Sequence, residues 1–313
     1  MSNVHTFGGL PACKNVAKLT ADIAIIGIPH GTPYRMGEPS PSARAPAAIR
    51  AASRAYGDQL KHYDFDLGGP LLNEDDIRVV DCGDVPGNPL DPAGNCQRAT
   101  DTIRAIIDAG AVPIVLGGDD SVPIPFFRAF HGHGPLTVVQ IDAHIDWRDE
   151  VNGVTEGYSS TMRRASELPW IDRLIQMGMR GTGSARREEV EAAKAYGAEL
   201  ITAMEIQDRG VDWVLNLIPD GTPCLVTIDC DGLDPSIMPA VNAPAPGGLT
   251  YRHVTNLLHG LSRKVKVVGF DLVELAPEKD VNELTAWTAA RIIYNMIGAL
   301  VRSKHVAHKD KGG

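Results

Sequence analysis

The sequence offers no covalent staple, no membrane anchor and no basic face. Its five cysteines (Cys13, Cys82, Cys96, Cys224, Cys230) are odd in number and contain no Cys-X-X-Cys pair. A disulfide framework is therefore excluded, and reduced, mostly buried thiols are expected. No apolar run approaches the roughly 18 residues of a membrane span. The opening residues MSNVHTFGGLPACKNV lack a charged stretch followed by an apolar one, so no secretory signal is expected. Basic charge is the minority: 30 Lys and Arg stand against 39 Asp and Glu, a net charge of −9. That balance, without a basic stripe, argues against a surface that tracks nucleic-acid phosphates. Internal repeats and low-complexity tracts are also missing. The expectation is a cytoplasmic protein with neither a membrane nor a nucleic-acid partner.

What is present suits a packed α/β protein. The 313 residues are 43% hydrophobic, enough for a sizeable core, and read as a single domain spanning 1–313. Residues 1–15 and 304–313 are expected to be flexible ends. Short β-branched apolar runs at 22–28, 77–81, 112–116, 136–141, 173–179, 223–228 and 265–272 are continuous rather than alternating, as strands buried on both faces are. Helix-period segments fill the gaps at 43–52, 95–109, 122–129, 159–165, 186–196, 251–261 and 283–302. Strand–helix alternation of this kind predicts a three-layer α/β/α fold with a mainly parallel central sheet.

Acidic residues collect where those strands end. The segment Asp142-Ala143-His144-Ile145-Asp146 follows the apolar strand 136–141. Alternate residues of a strand point the same way, so Asp142 and His144 converge and Asp146 follows as the chain turns. Asp229-Cys230-Asp231 repeats the spacing after 223–228, and Asp119-Asp120 closes the strand 112–116. Like charges a few Å apart cost about 4 kcal/mol per pair at intermediate dielectric, and bound divalent cations are the natural remedy. Asp119 and Asp234, beside turns, also suit capping. Mostly oxygen ligands with one imidazole favour Mn2+, with Ni2+ as a second choice. Two such ions roughly 3.5–4 Å apart would share a water and make it hydroxide near neutral pH.

The segments GGDDS, DAHID, TIDCDGLDP and DLVELAP, in this order and spacing, resemble the ureohydrolase (arginase/agmatinase) family, and GIPHGTPYRMG resembles its N-terminal strand and loop. The resemblance implies a metal-dependent amidinohydrolase that cleaves a C–N bond of a small cationic guanidine- or biguanide-type compound by metal-bound hydroxide, releasing urea or a substituted urea and an amine. It implies two divalent ions, held by Asp120, Asp142, His144, Asp146, Asp229 and Asp231, with Asp142 and Asp229 bridging. Glu274 in DLVELAP would grip the guanidinium through paired charge-assisted bonds. A homo-trimer or hexamer is implied as well.

The pattern breaks in places. The family usually reads GGDHS, and this chain places Asp120 where the histidine ligand stands. Tyr158 occupies the place of a proton-shuttling histidine; with a reference pKa near 10 it can donate a proton but is a poor base at neutral pH. Trp147 is bulkier than the usual residue after DAHID and either roofs the substrate or packs in the core, as a residue that buries most of its area does; His30 in the loop after the first strand and Asn242 in the altered loop 235–244 are further substrate contacts. Asp120 and Tyr158 keep open an alternative: a weakly active or non-catalytic subunit of a hetero-oligomer, supporting an active paralogue as in metformin hydrolase-like assemblies.

Overall fold

The computed structural model describes residues 5–35, 37–73, 77–183 and 185–303. Eight strands form one sheet: β1 Ile23–Gly27, β2 Val79–Asp84, β3 Val112–Leu116, β4 Leu136–Ile141, β5 Ile171–Met179, β6 Glu199–Thr202, β7 Pro223–Asp229 and β8 Lys266–Val273. Their order is β2-β1-β3-β8-β7-β4-β5-β6, and each neighbouring pair runs parallel. The expected fold class holds. Parallel strands need crossovers, and here helices supply them.

Helices cover both faces. Along β1, Ile23 and Ile25 join one apolar cluster while Ala24 and Ile26 join the other, the period-2 alternation of a strand buried on both sides. The first cluster takes side chains from α1 (Ala45–Ser53), α6 (Ala203–Arg209), α7 (Asp212–Leu215), α8 (Tyr251–Lys264) and α9 (Leu284–Val301). The second takes them from α2 (Pro92–Asp108), α3 (Pro123–Arg128), α4 (Thr161–Ser166) and α5 (Arg187–Tyr196). By length and composition α9 could cross a membrane, yet 78% of it is buried inside the protein, so it reads as a core helix.

Three elements escaped the sequence reading. Strand β6 is four residues long at the sheet edge and only Ile201 of it is buried, so it carries too little apolar signal. Helices α6 and α7 are also short. The expectation of a flexible end at 1–15 is corrected for residues 5–15. Phe7 is fully buried, its N–H donates to Asp81 Oδ2 at 2.7 Å, and Ala12 bridges to Asp81. Residues 1–4 and 304–313 lie outside the described residues.

The sheet order positions the site. The four central strands are β3, β8, β7 and β4, although β3 and β4 are consecutive in the chain. Such a switch in strand order opens a crevice at the carboxyl ends, where open α/β sheets bind ligands.

Candidate metal centre and active site

Register explains why the acids meet. Leu116 pairs with Leu272, Leu272 with Ile228, and Ile228 with Ile141, so these four residues form one apolar row across the sheet. Beyond that row come Gly117, Val273, Asp229 and Asp142. The loop after β3 then runs close against the loop that follows β1. A Cβ on Gly118 would lie 2.1 Å from the His30 carbonyl oxygen, so only glycine permits this approach.

Past the row, Asp120, Asp142 and Asp229 offer ligand atoms within 4.8 Å of one another, as do Asp142, His144 and Asp231. Asp120, Asp142, Asp146, Asp229, Asp231 and Glu274 are all buried. Both carboxyl oxygens of Asp120 lack any hydrogen-bond partner, although buried polar groups are ordinarily satisfied. A cation among these groups would satisfy them, and oxygen donors with one imidazole suit a hard divalent ion. Burial pushes the Asp120, Asp142 and Asp229 carboxyls well above the usual carboxylate range, and the neighbouring acids add to the effect. His144 is raised to about 9, first by its hydrogen bond to Asp231; its Nδ1 lies 3.2 Å from Asp231 Oδ2 and 3.4 Å from Asp142 Oδ1. Asp146 adopts a left-handed backbone, φ 48°, and its Oδ2 accepts from Gln140 Nε2 at 3.4 Å, the same amide nitrogen that donates to Asp142 at 2.8 Å.

Glu274 also has a left-handed backbone, φ 67°, and both its oxygens are held. Asp120 N–H donates to Oε1 at 2.9 Å and Asn242 Nδ2 to Oε2 at 3.0 Å. Lys279 Nζ in turn donates to Asn242 Oδ1 at 3.1 Å. Lysine has only donors, so it fixes which end of the amide faces Glu274. Burial, then the charge of Asp119, raises Glu274 to about 8. Glu274, Asn242, Asp120, His144, Asp229 and Asp231 line a cavity of about 510 Å³, which Tyr34, Arg35, Glu38 and Tyr158 also border. Tyr158 is 41% exposed and packs on Tyr34 with ring centroids 4.4 Å apart. Tyr34 is anchored in turn, its hydroxyl accepting from Ser159 N–H at 2.9 Å.

Two expected substrate contacts lie elsewhere. Trp147 does not line the cavity: it is buried in the second apolar cluster, near Tyr196 with centroids 5.9 Å apart. The left-handed turn at Asp146 brings that carboxyl to the cavity and carries the next side chain into the core. His30 is also displaced, into a smaller adjoining cavity beside Gly87 and Asn95; burial, then the nearby Arg98, lowers it to about 4. Asp119 and Asp234 cap turns as expected, Asp119 Oδ1 accepting from Ser121 N–H and hydroxyl and Asp234 from the N–H groups of Ser236, Gly247 and Gly248.

Sequence reasoning missed Tyr34, Lys279, Gln140, Gln176 and Asp271. The last three are buried polar residues inside apolar strands, and that contrast is a signal the sequence carries. Asp271, at the centre of the sheet, accepts from Thr227 Oγ1 at 2.7 Å while its second oxygen has no partner.

A buried carboxylate cluster at the carboxyl edge of a parallel sheet defines the class: an α/β protein able to hold divalent metal ions. The chain belongs to the arginase family, whose model matches residues 21–298, and it is an agmatinase-like ureohydrolase. It is 31% identical to guanidinopropionase of Pseudomonas aeruginosa, over 96% of this chain and 93% of the relative. With agmatinase of Bacillus subtilis it shares 33% identity, over 90% of this chain and 93% of the relative. The solved structure of proclavaminate amidino hydrolase from Streptomyces clavuligerus superposes with a TM-score of 0.83 at 29% identity, covering 96% of this chain and 98% of the other.

Proposed function

We propose that the protein hydrolyses a small guanidine-type compound, breaking one C–N bond to release urea, or a substituted urea, and an amine. One observation carries the reading: the Glu274 carboxyl, fixed at both oxygens by Asp120 N–H and Asn242, shares a cavity with the Asp120, Asp229 and Asp231 carboxyls. A carboxylate so oriented presents paired acceptors to the planar N–H edge of a guanidinium.

Asp120, Asp142, His144, Asp146, Asp229 and Asp231 would hold two divalent ions, Mn2+ first and Ni2+ second by ligand chemistry. Ions bound there would supply Lewis acidity and make a water acidic enough to lose its proton near neutral pH. Glu274 holds the guanidinium with its carbon facing the metal ligands. Water oxygen adds to that carbon, the C–N bond breaks, and the leaving amine takes up a proton. Tyr158, bordering the cavity, holds its phenol proton at neutral pH, burial raising it further above the ordinary tyrosine value; it gives that proton to the leaving amine and takes back the one the water gives up. We assign Asn242 to the support of Glu274, and the assembly to a trimer or hexamer.

The test is urea release from a panel comprising guanidine, guanidinopropionate, guanidinobutyrate, agmatine and a biguanide, with protein reconstituted separately with Mn2+ and Ni2+. Expected is turnover of at least one guanidine. Protein holding two ions per chain that releases no urea from any of them ends this reading.

A further inference from the structure

Two glutamines occupy strands in which nearly every neighbour is apolar. Gln140 of β4 and Gln176 of β5 are both fully buried and stand opposite each other in register. Their amides are joined, Gln176 Nε2 donating to Gln140 Oε1 at 2.6 Å. At one end of the pair Gln140 Nε2 donates to Asp142 Oδ2 at 2.8 Å. At the other, Trp147 Nε1 donates to Gln176 Oε1 at 2.8 Å. Gln176 Nε2 also donates to the Ile145 carbonyl at 2.9 Å.

The polarity of this chain is set from the tryptophan end. A glutamine amide has nearly the same shape with its oxygen and nitrogen exchanged, so its neighbours choose its orientation. An indole N–H only donates, and it therefore requires the Gln176 oxygen. The Gln176 amino group then faces two carbonyls, those of Ile145 and Gln140. With its oxygen so engaged, Gln140 presents N–H to Asp142. Reversed polarity would set a carbonyl oxygen against the carboxylate. The other Asp142 oxygen, Oδ1, accepts His144 N–H at 2.6 Å, so a donor on each oxygen fixes the plane of the carboxyl.

We infer that Trp147 is a positioning residue for Asp142, acting through Gln176 and Gln140, and thereby sets the affinity of the carboxylate cluster for divalent cations. The inference rests on the reading of that cluster as a metal centre. Outer partners of metal ligands are commonly worth about 10- to 100-fold in metal affinity. All four side chains of this relay are buried, and in a low-dielectric interior a polar group left without its partner is costly.

The test is a double-mutant cycle read by calorimetric titration of the full-length, chelator-treated protein with Mn2+ and with Co2+. Trp147→Phe keeps an aromatic ring in the core and removes the N–H. Gln140→Met keeps the length and removes the donor to Asp142. Each alone should weaken cation binding by roughly tenfold or more, and the double variant should bind no more weakly than Gln140→Met, because the route to Asp142 is already cut. Should Gln140→Met not fold, Gln176→Met serves as the second background with the same expectation. A melting curve of each metal-free variant separates lost packing, which would lower the Tm without coupling the two sites. Wild-type affinity in Trp147→Phe, or losses that simply add, would overturn the inference. So would a wild-type protein that binds neither cation. Because the cycle reads binding alone, coupled losses in a protein that releases no urea would sink the proposed reaction and leave the positioning role standing.

Discussion

Asp142 and Asp229 leave the sheet at the same height on neighbouring strands. Their predecessors Ile141 and Ile228 are register partners, so each aspartate is the first residue beyond the apolar row. Neighbouring strands lie about 4.8 Å apart, a separation that lets two carboxyls converge on shared cations. Asp229→Ala is therefore expected to lose both metal ions rather than one. Elemental analysis of the purified variant decides it, and two ions retained per chain would remove Asp229 from the bridging role.

Glu274 is held by Asp120 N–H and Asn242 and contributes to neither group of candidate ligands. Glu274→Gln should keep the metal content and lose most of kcat/KM. A bond to a charged group is worth about 1.5–3 kcal/mol, or roughly tenfold to more than a hundredfold in rate. Unchanged kinetics on the best guanidine would take Glu274 out of the site.

Asp120 stands where the family has an imidazole, with both oxygens unpartnered and Asp142 and Asp229 beside it. As a ligand it adds negative charge, which lowers the Lewis acidity of a bound ion. Asp120→His is expected to move the acidic limb of the pH–rate profile to lower pH while both ions stay bound. If the limb does not move, Asp120 does not ligate.

The metal-free protein should lose stability as the pH rises. Glu274 keeps its proton to about 8 in the fold against an ordinary value of 4.5, so across that window the unfolded chain binds fewer protons and unfolding becomes easier. His144 acts in the same direction, its stabilisation complete below 6.5 and lost as the pH passes about 9. Thermal melts of chelator-treated protein should show Tm falling over this range, and saturating Mn2+ should flatten the slope because cations take the place of the protons. A Tm that rises with pH in the chelated protein would contradict the arrangement of buried acids.

The chemistry was legible in the chain because it is written in short local patterns. Asp142 and His144, or Asp229 and Asp231, are two residues apart at the end of an apolar run, and strand geometry turns that spacing into convergence. The layered fold was legible for a related reason, since strands buried on both faces must be continuously apolar. Local sequence also placed Glu274, through its motif rather than through any contact it makes.

Only the tertiary structure decided which strands are neighbours, and the rest depends on that. The order β3-β8-β7-β4 gathers acids separated by more than a hundred residues, through backbone hydrogen bonds that carry no trace of partner identity in the sequence. It also decided the direction of single side chains. Trp147 and His30 sit next to site segments in the chain, yet backbone torsion at Asp146 and packing under α2 turn them away. Gln140 and Gln176 stand out in sequence only as polar residues within apolar strands, and Lys279 not at all; each acquires its role through partners brought in by pairing and loop closure. A period-2 pattern reports which face a residue occupies; which atom it meets there depends on a register that the whole sheet must set.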